Sequence, residues 1–262
     1  MSDWNQLLPS SHADTFTRDR LPPKDQWPIF LADRPELNYP DRLNVTSELV
    51  DLHVHQSRAN RIALHGQHGM DPLAPFSWTY AQLQAQVDRI AHVLTQDLQL
   101  ISGNRVLLRG GNSPMMAASL LACFKAGLVA VPTMPLLRSG ELATIIKKAQ
   151  VSAALCDQWL IEELQHCMTP GHAHHCSTLR DLVAFRSLQA DGLEQRMQRH
   201  SQGFDAHPTS RDDVCLIAFT SGTTGQPKGT LHFHRDVLAM CDLFPRHILT
   251  MTEQDVVCGT PP

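Results

Sequence analysis

Apolar residues recur at the helical period most clearly between Thr79 and Leu98, where Leu83, Val87, Ile90, Leu94 and Leu98 follow one another at spacings of three and four. That spacing lines one face of a helix and predicts an amphipathic segment over 79–98. Thr79 followed by Gln82 fits a capping box at its start. Further helices are expected over 44–56, with Leu49, Leu52 and Val54 on the apolar side, from Pro114 to the residue before Gly127, over 140–149 and over 158–167. Ser113 is placed to cap the second of these, Pro114 suits a first helical position, and Gly127 suits the C-terminal cap. Short apolar runs predict strands at 61–65, at 105–109 behind the Ser102-Gly103-Asn104 turn, and at 128–132, 152–156, 213–219 and 255–258. The stretch from Met70 to Pro75 reads as a loop. Strands alternating with helices on this spacing imply βαβ units, hence a layered α/β fold with a mostly parallel sheet flanked by helices.

Residues 1–44 break the pattern. Pro22, Pro23, Pro28, Pro35 and Pro40 exclude helix interiors and central strands there. The aromatics Trp27, Phe30 and Tyr39 give that stretch something to bury, so it is expected to pack as an N-terminal extension over a domain formed by residues 45–262.

Composition narrows the class. The 262 residues carry 22 basic and 26 acidic side chains, a formal net charge of -4, so no basic excess points to a nucleic-acid partner. Charged residues make 18% and hydrophobic ones 42%, enough for a sizeable core. The longest apolar stretch, Met115 to Pro132, is interrupted by Lys125, and no membrane partner is expected. The first twenty residues hold Asp3, Asp14 and Asp19 and no apolar core of a leader peptide. Seven cysteines without a CxxC pair read as reduced thiols in a cytoplasmic protein.

The segment with the densest chemistry is Thr220-Ser221-Gly222-Thr223-Thr224-Gly225-Gln226-Pro227-Lys228-Gly229, directly after the apolar run 213–219. Its glycines let backbone N–H groups converge on one point and let an anion approach closely. The hydroxyls of Thr220, Ser221, Thr223 and Thr224 can donate to phosphate oxygens, and Lys228 adds a full positive charge. Pro227 stiffens the exit. The spacing differs from GxxxxGK[ST], so this is a phosphate loop of another kind. The plain alternative is an ordinary polar turn between strands.

The ten residues 220–229 resemble, position for position, the phosphate-binding signature of the adenylate-forming superfamily: acyl-CoA synthetases, peptide-synthetase adenylation domains and luciferases. Gly103-Asn104-Arg105-Val106, Lys125-Ala126-Gly127 with Val129 to Pro132, and the run from Gly229 to His234 are similar to further segments of that family. The Pro-rich start most resembles benzoate and 2-aminobenzoate CoA ligases. The resemblance implies an AMP-forming ligase that joins a small-molecule carboxylate to a thiol, with ATP, Mg2+ and CoA as co-substrates. It also implies that Ser221 to Gly225, with Thr223, Thr224 and Lys228, grip the ATP phosphates. Matched against that family, these residues correspond to a truncated N-terminal part of the adenylation domain. The C-terminal domain and its catalytic lysine are expected outside them, as are the adenine, ribose and magnesium motifs. Loading of a carrier-protein thiol, or a non-catalytic remnant, stays open.

Two histidine groups stand apart. His232 and His234 alternate along the strand expected after the loop, which offers His234 as a residue of the substrate cleft. Cys167, His172, His174, His175 and Cys176 cluster in sequence, but their spacing fits no standard zinc site, and Thr169-Pro170-Gly171 marks a surface loop. Met115, Met116 and Met240 are expected to fill gaps in the core.

Overall fold

The computed structural model describes residues 4–30, 33–68, 71–220 and 227–259. Six strands form one sheet: β3 (Arg105–Arg109), β4 (Val129–Thr133), β5 (Val151–Asp157), β6 (Asp181–Phe185), β7 (Val214–Thr220) and β8 (Lys228–Phe233), in the order β6-β5-β3-β4-β7-β8. All neighbouring pairs are parallel except β7–β8, which is antiparallel. The separate antiparallel hairpin of β1 (Ile62–His68) and β2 (Asp71–Thr79) stands outside this sheet.

That hairpin corrects two expectations. The strand near 61–65 does not join the parallel sheet, and Asp71–Thr79, expected to begin as a loop, is extended. The two strands are separated by two residues, too few for the crossover that parallel pairing requires. Pro72 and Pro75 are tolerated because both strands of a two-stranded ribbon are edges. A third correction concerns 255–258, which forms no strand; Val256 and Val257 are 76% and 73% exposed.

The helices are α1 (Phe16–Asp19), α2 (Tyr80–His92), α3 (Pro114–Lys125), α4 (Ser139–Ala149), α5 (Ile161–Met168), α6 (Leu193–Met197) and α7 (His234–His247). At α2, Thr79 Oγ1 accepts the Gln82 N–H at 3.2 Å and Gln82 Oε1 accepts the Thr79 N–H at 2.9 Å, closing the capping box. Ser113 Oγ accepts the Met116 N–H at 3.2 Å at the start of α3. Gly127 ends that helix with φ +68°, and a Cβ there would lie 2.6 Å from the His207 ring. Conformation and space both demand glycine. The segment expected as a helix over 44–56 is helical with a wide π turn at Ser47–Asp51, and it breaks at Gln56 and Ser57, whose backbone is not helical (Ser57 φ +65°). Missing from the sequence reading were β6, α1 and α6, and α7 was given no bounds there.

Strand β3 shows why the sheet is sandwiched. Val106 and Leu108 pack with Val87, Ile90 and Ala122 of α2 and α3, while Leu107 packs with Leu142 and Ile146 of α4. Both faces are covered, so the strand is apolar at successive positions instead of alternating. The N-terminal residues run along the end where the parallel strands begin. Asp213, just before β7, accepts hydrogen bonds from Ser10 Oγ, Ser11 Oγ and the Ser11 and Ser210 N–H groups. Leu43 N–H donates to Thr209 O at 2.9 Å. Among the described residues no helix is long and apolar enough to cross a membrane.

Candidate functional site

Strand β7 is buried over Val214 and Cys215 and surfaces at Thr220, at the carboxyl edge of the parallel strands. In open α/β sheets ligands bind outside that edge. The antiparallel register sets Thr220 opposite Lys228 and Phe219 opposite Gly229. Thr220 and Lys228 are both exposed and mark the two ends of the candidate phosphate loop. Ser221, Gly222, Thr223, Thr224 and Gly225 lie outside the described residues, so the structure fixes where the loop leaves and rejoins the sheet. Thr220 Oγ1 donates its one proton to Lys228 O across a long 3.5 Å, a weak bond that it would exchange to donate to a ligand. Gly229 is required by packing: a Cβ would sit 2.9 Å from Ile217 Cγ2 and 3.2 Å from Phe219 Cζ.

Two neighbouring elements flank the described ends of the loop. Lys148, on the last turn of α4, donates from Nζ to Pro227 O at 2.8 Å and so holds the loop exit. The turn between β4 and α4 forms the facing wall of a cavity of about 440 Å³, lined by Thr133, Met134, Leu137 and Thr144 on one side and Phe219 and Thr220 on the other. Behind that turn lies Arg109, the last residue of β3 and almost fully buried. Neither Lys148 nor Arg109 was singled out from the sequence. The available signal for Arg109 was a charge closing the otherwise apolar run Val106 to Leu108.

His234 is not in this cleft. It is the first residue of α7, not a strand residue, and its N–H donates to Asp213 O at 3.1 Å. Strand β8 runs antiparallel to β7, so its end returns to the amino edge of the sheet, about 20 Å from the loop at ~3.3 Å per residue. The His234 ring is fully buried, lies 6.2 Å from Phe124, and accepts the Val45 N–H on Nδ1 at 3.2 Å. Burial pushes its pKa down to about 3. His232 stays on β8 with Nε2 3.2 Å from Thr230 Oγ1.

The cysteine and histidine cluster is a tied surface loop. Cys176 N–H donates to Cys167 O at 2.8 Å, the His166 and His172 rings stack at 4.7 Å, and burial pushes the Cys167 thiol up to about 12. Met115 and Met116 pack on the core, whereas Met240 is 54% exposed, against expectation. Among the described residues no group of three or more His, Cys, Asp or Glu side chains could hold a metal ion. A protein ligand set for the expected Mg2+ is therefore not found in them.

A family model described as AMP-binding enzyme matches residues 52–262. A benzoate–CoA ligase of Thauera aromatica is 28% identical over 223 residues, which are 85% of this chain and 40% of that protein. A long-chain-fatty-acid–CoA ligase of Mycobacterium tuberculosis is 30% identical over 171 residues, covering 64% of this chain and 32% of the relative. In fold, the chain resembles a crystal structure of an anthranilate CoA ligase in complex with anthranoyl-AMP, with a TM-score of 0.73 and 21% identity over 85% of this chain and 40% of the other. The chain thus spans about two fifths of the length of the benzoate–CoA ligase it matches.

Proposed function

The chain belongs to the AMP-binding enzyme family, and from that premise we propose that it serves an AMP-forming carboxylate–CoA ligase acting on an aromatic acid such as benzoate or 2-aminobenzoate. The observation that carries the reading is the hairpin end where Thr220 faces Lys228 at the carboxyl edge of a parallel sheet, with the hydroxyl- and glycine-rich residues 221–226 strung between them. The aromatic acid is supported by the benzoate–CoA ligase relative and by the Pro-rich N-terminal stretch.

In the proposed first step, a carboxylate oxygen attacks the α-phosphorus of ATP. The bond from that phosphorus to the bridging oxygen breaks, and pyrophosphate leaves with the electron pair. In the second step the sulfur of CoA attacks the acyl carbonyl and AMP departs, leaving a thioester. Nucleophiles and leaving groups belong to the substrates, so the protein contributes position and charge. Backbone amides and hydroxyls of residues 220–225 would hold the β- and γ-phosphates, and Lys228 would neutralise charge that builds on the leaving pyrophosphate. Lys148 supports this by holding Pro227.

The test is exchange of labelled pyrophosphate into ATP by the intact protein, with benzoate and 2-aminobenzoate compared with a long-chain fatty acid, followed by CoA-dependent release of AMP. Exchange that requires an aromatic acid supports the reading. Exchange driven by the fatty acid alone overturns the aromatic assignment, and no acid-dependent exchange at all overturns adenylation.

A further inference from the structure

Arg109 is a buried cation with no carboxylate at ion-pair distance among the described residues, and Glu163 acts on it only from farther away. Its side chain is 1% exposed. The guanidinium donates instead to backbone carbonyls: Nη1 to Met134 O at 2.9 Å, Nη2 to Pro135 O at 2.9 Å and Leu137 O at 2.8 Å, and Nε to Leu160 O at 3.4 Å. Desolvating a cation that no carboxylate touches is costly, so such a residue persists where its full set of donors has an occupation. Here the occupation is the turn from β4 into α4. Met134 and Leu136 are 52% and 77% exposed, so apolar burial does little to hold that turn. The planar fork of one arginine fixes three of its carbonyls.

The position matters as much as the contacts. Arg109 pairs with Thr133 in register, and β4 pairs with β7 through Ala130 and Leu216, so the ends of β3, β4 and β7 share one rim. Two inter-strand spacings of ~4.8 Å put the Arg109 and Thr220 backbones about 10 Å apart. Met134 and Leu137, held from behind by the guanidinium, face Thr220 across the 440 Å³ cavity.

We propose that Arg109 is a positioning residue for the polyphosphate end of the site: it fixes the turn that walls the cavity beside Thr220, against which the leaving pyrophosphate is oriented. The assignment rests on the adenylation reading for its chemistry and on the carbonyl cradle for its geometry. It requires a guanidinium specifically, because a lysine carries the charge but lacks the fork that meets several carbonyls at once.

The test compares Arg109→Lys and Arg109→Met with the wild-type intact protein. Exchange kinetics are expected to show the KM for ATP raised at least tenfold in both variants, with the KM for the acid within twofold. Calorimetric titration with inorganic pyrophosphate reads the same point without turnover and is expected to show a similar loss of affinity. Pro135→Gly, which loosens the turn while leaving the arginine in place, should reproduce part of the effect and serves where Arg109→Met does not fold. A lower melting temperature with unchanged ATP KM and pyrophosphate affinity would overturn the assignment and leave Arg109 a purely structural residue. Wild-type protein that binds pyrophosphate but shows no acid-dependent exchange defeats the adenylation reading instead, and the titrations then decide the role of Arg109 alone.

Discussion

Lys125 Nζ lies 2.5 Å from Asp88 Oδ1, with the two side chains 3% and 5% exposed. A second carboxylate, Asp51 Oδ1, stands 2.8 Å from the same ammonium. One lysine at the end of α3 thus ties α2 to the helical segment that precedes β1. Removing it leaves Asp88 buried and Asp51 half-buried without their cation, which costs far more than the pair itself contributes. Lys125→Met is expected to destabilise the fold by about 3–5 kcal/mol, measured by urea unfolding. Adding Asp88→Leu should recover part of the loss, since it removes a stranded charge.

Acid should weaken the amino edge of the sheet. His234 is held neutral in the fold, with a pKa of about 3 caused mainly by burial, and His12 is lowered by burial as well. In the unfolded chain a histidine titrates near 6.5. Below that value the unfolded state takes up a proton that the folded state refuses, so stability is full above pH 6.5 and falls as pH drops towards 3. At pH 5 His234 alone accounts for a loss of about 2 kcal/mol relative to pH 7.5. At Asp213 burial works upward, but His12 and the Ser10 and Ser11 hydroxyls prevail and hold the carboxyl low. Its contribution therefore disappears only below the ordinary carboxylate range. His234→Asn keeps an acceptor for the Val45 N–H and cannot titrate. It should be less stable at pH 7.5 yet lose less on acidification, and urea series at both pH values in which variant and wild type lost equal stability would contradict this.

The parallel core apart from β6 was legible because β3, β4, β5 and β7 are short apolar runs bounded by turn residues, and because Thr79, Ser113 and Gly127 carry their capping roles in their chemistry. The β1–β2 hairpin was not legible, since prolines at 72 and 75 argue against a strand unless both strands are known to be edges. His234 was misplaced for a related reason. Alternation of His232 and His234 assumes that the strand continues, whereas it ends at Phe233, and Asp236 Oδ2 accepts the Phe233 N–H at 2.9 Å to start α7. Arg109 and Lys148 escaped notice because their partners are backbone carbonyls of distant segments, which no side-chain pattern announces.

Gly229→Ala tests the seating of the loop without touching a charge. The added methyl meets Ile217 Cγ2 at 2.9 Å and the Phe219 ring at 3.2 Å. Phe219 lines the cavity beside Thr220, so relief of the contact moves a wall of the proposed site. Overpacking of this kind costs about 1–3 kcal/mol. A lower unfolding midpoint together with weaker ATP binding is expected; weaker binding should persist at temperatures where the variant is fully folded.

Lys228 and Lys148 both carry ammonium groups beside the loop exit, and the structure separates their roles. Lys148 already donates to Pro227 O at 2.8 Å, so it acts on ligands through the backbone it holds. Lys228 opposes Thr220 across the mouth of the hairpin and is exposed, which leaves its charge open to the phosphate oxygens proposed above. A hydrogen bond to a charged group is worth about 1.5–3 kcal/mol, so Lys228→Ala should weaken ATP binding roughly 10- to 100-fold. Its melting temperature should barely change, because an exposed side chain supports little of the fold. Lys148→Ala should weaken binding by about fivefold, the equivalent of one ordinary hydrogen bond near 1 kcal/mol. Salt supplies a further distinction. On the proposed reading the Lys228 effect is a direct charge–phosphate contact at an exposed site and should shrink as ionic strength rises, while the Lys148 effect should hold. Equal affinities of wild-type protein and Lys228→Ala at low salt would remove the lysine from the phosphate site, and with it the strongest charge the loop possesses.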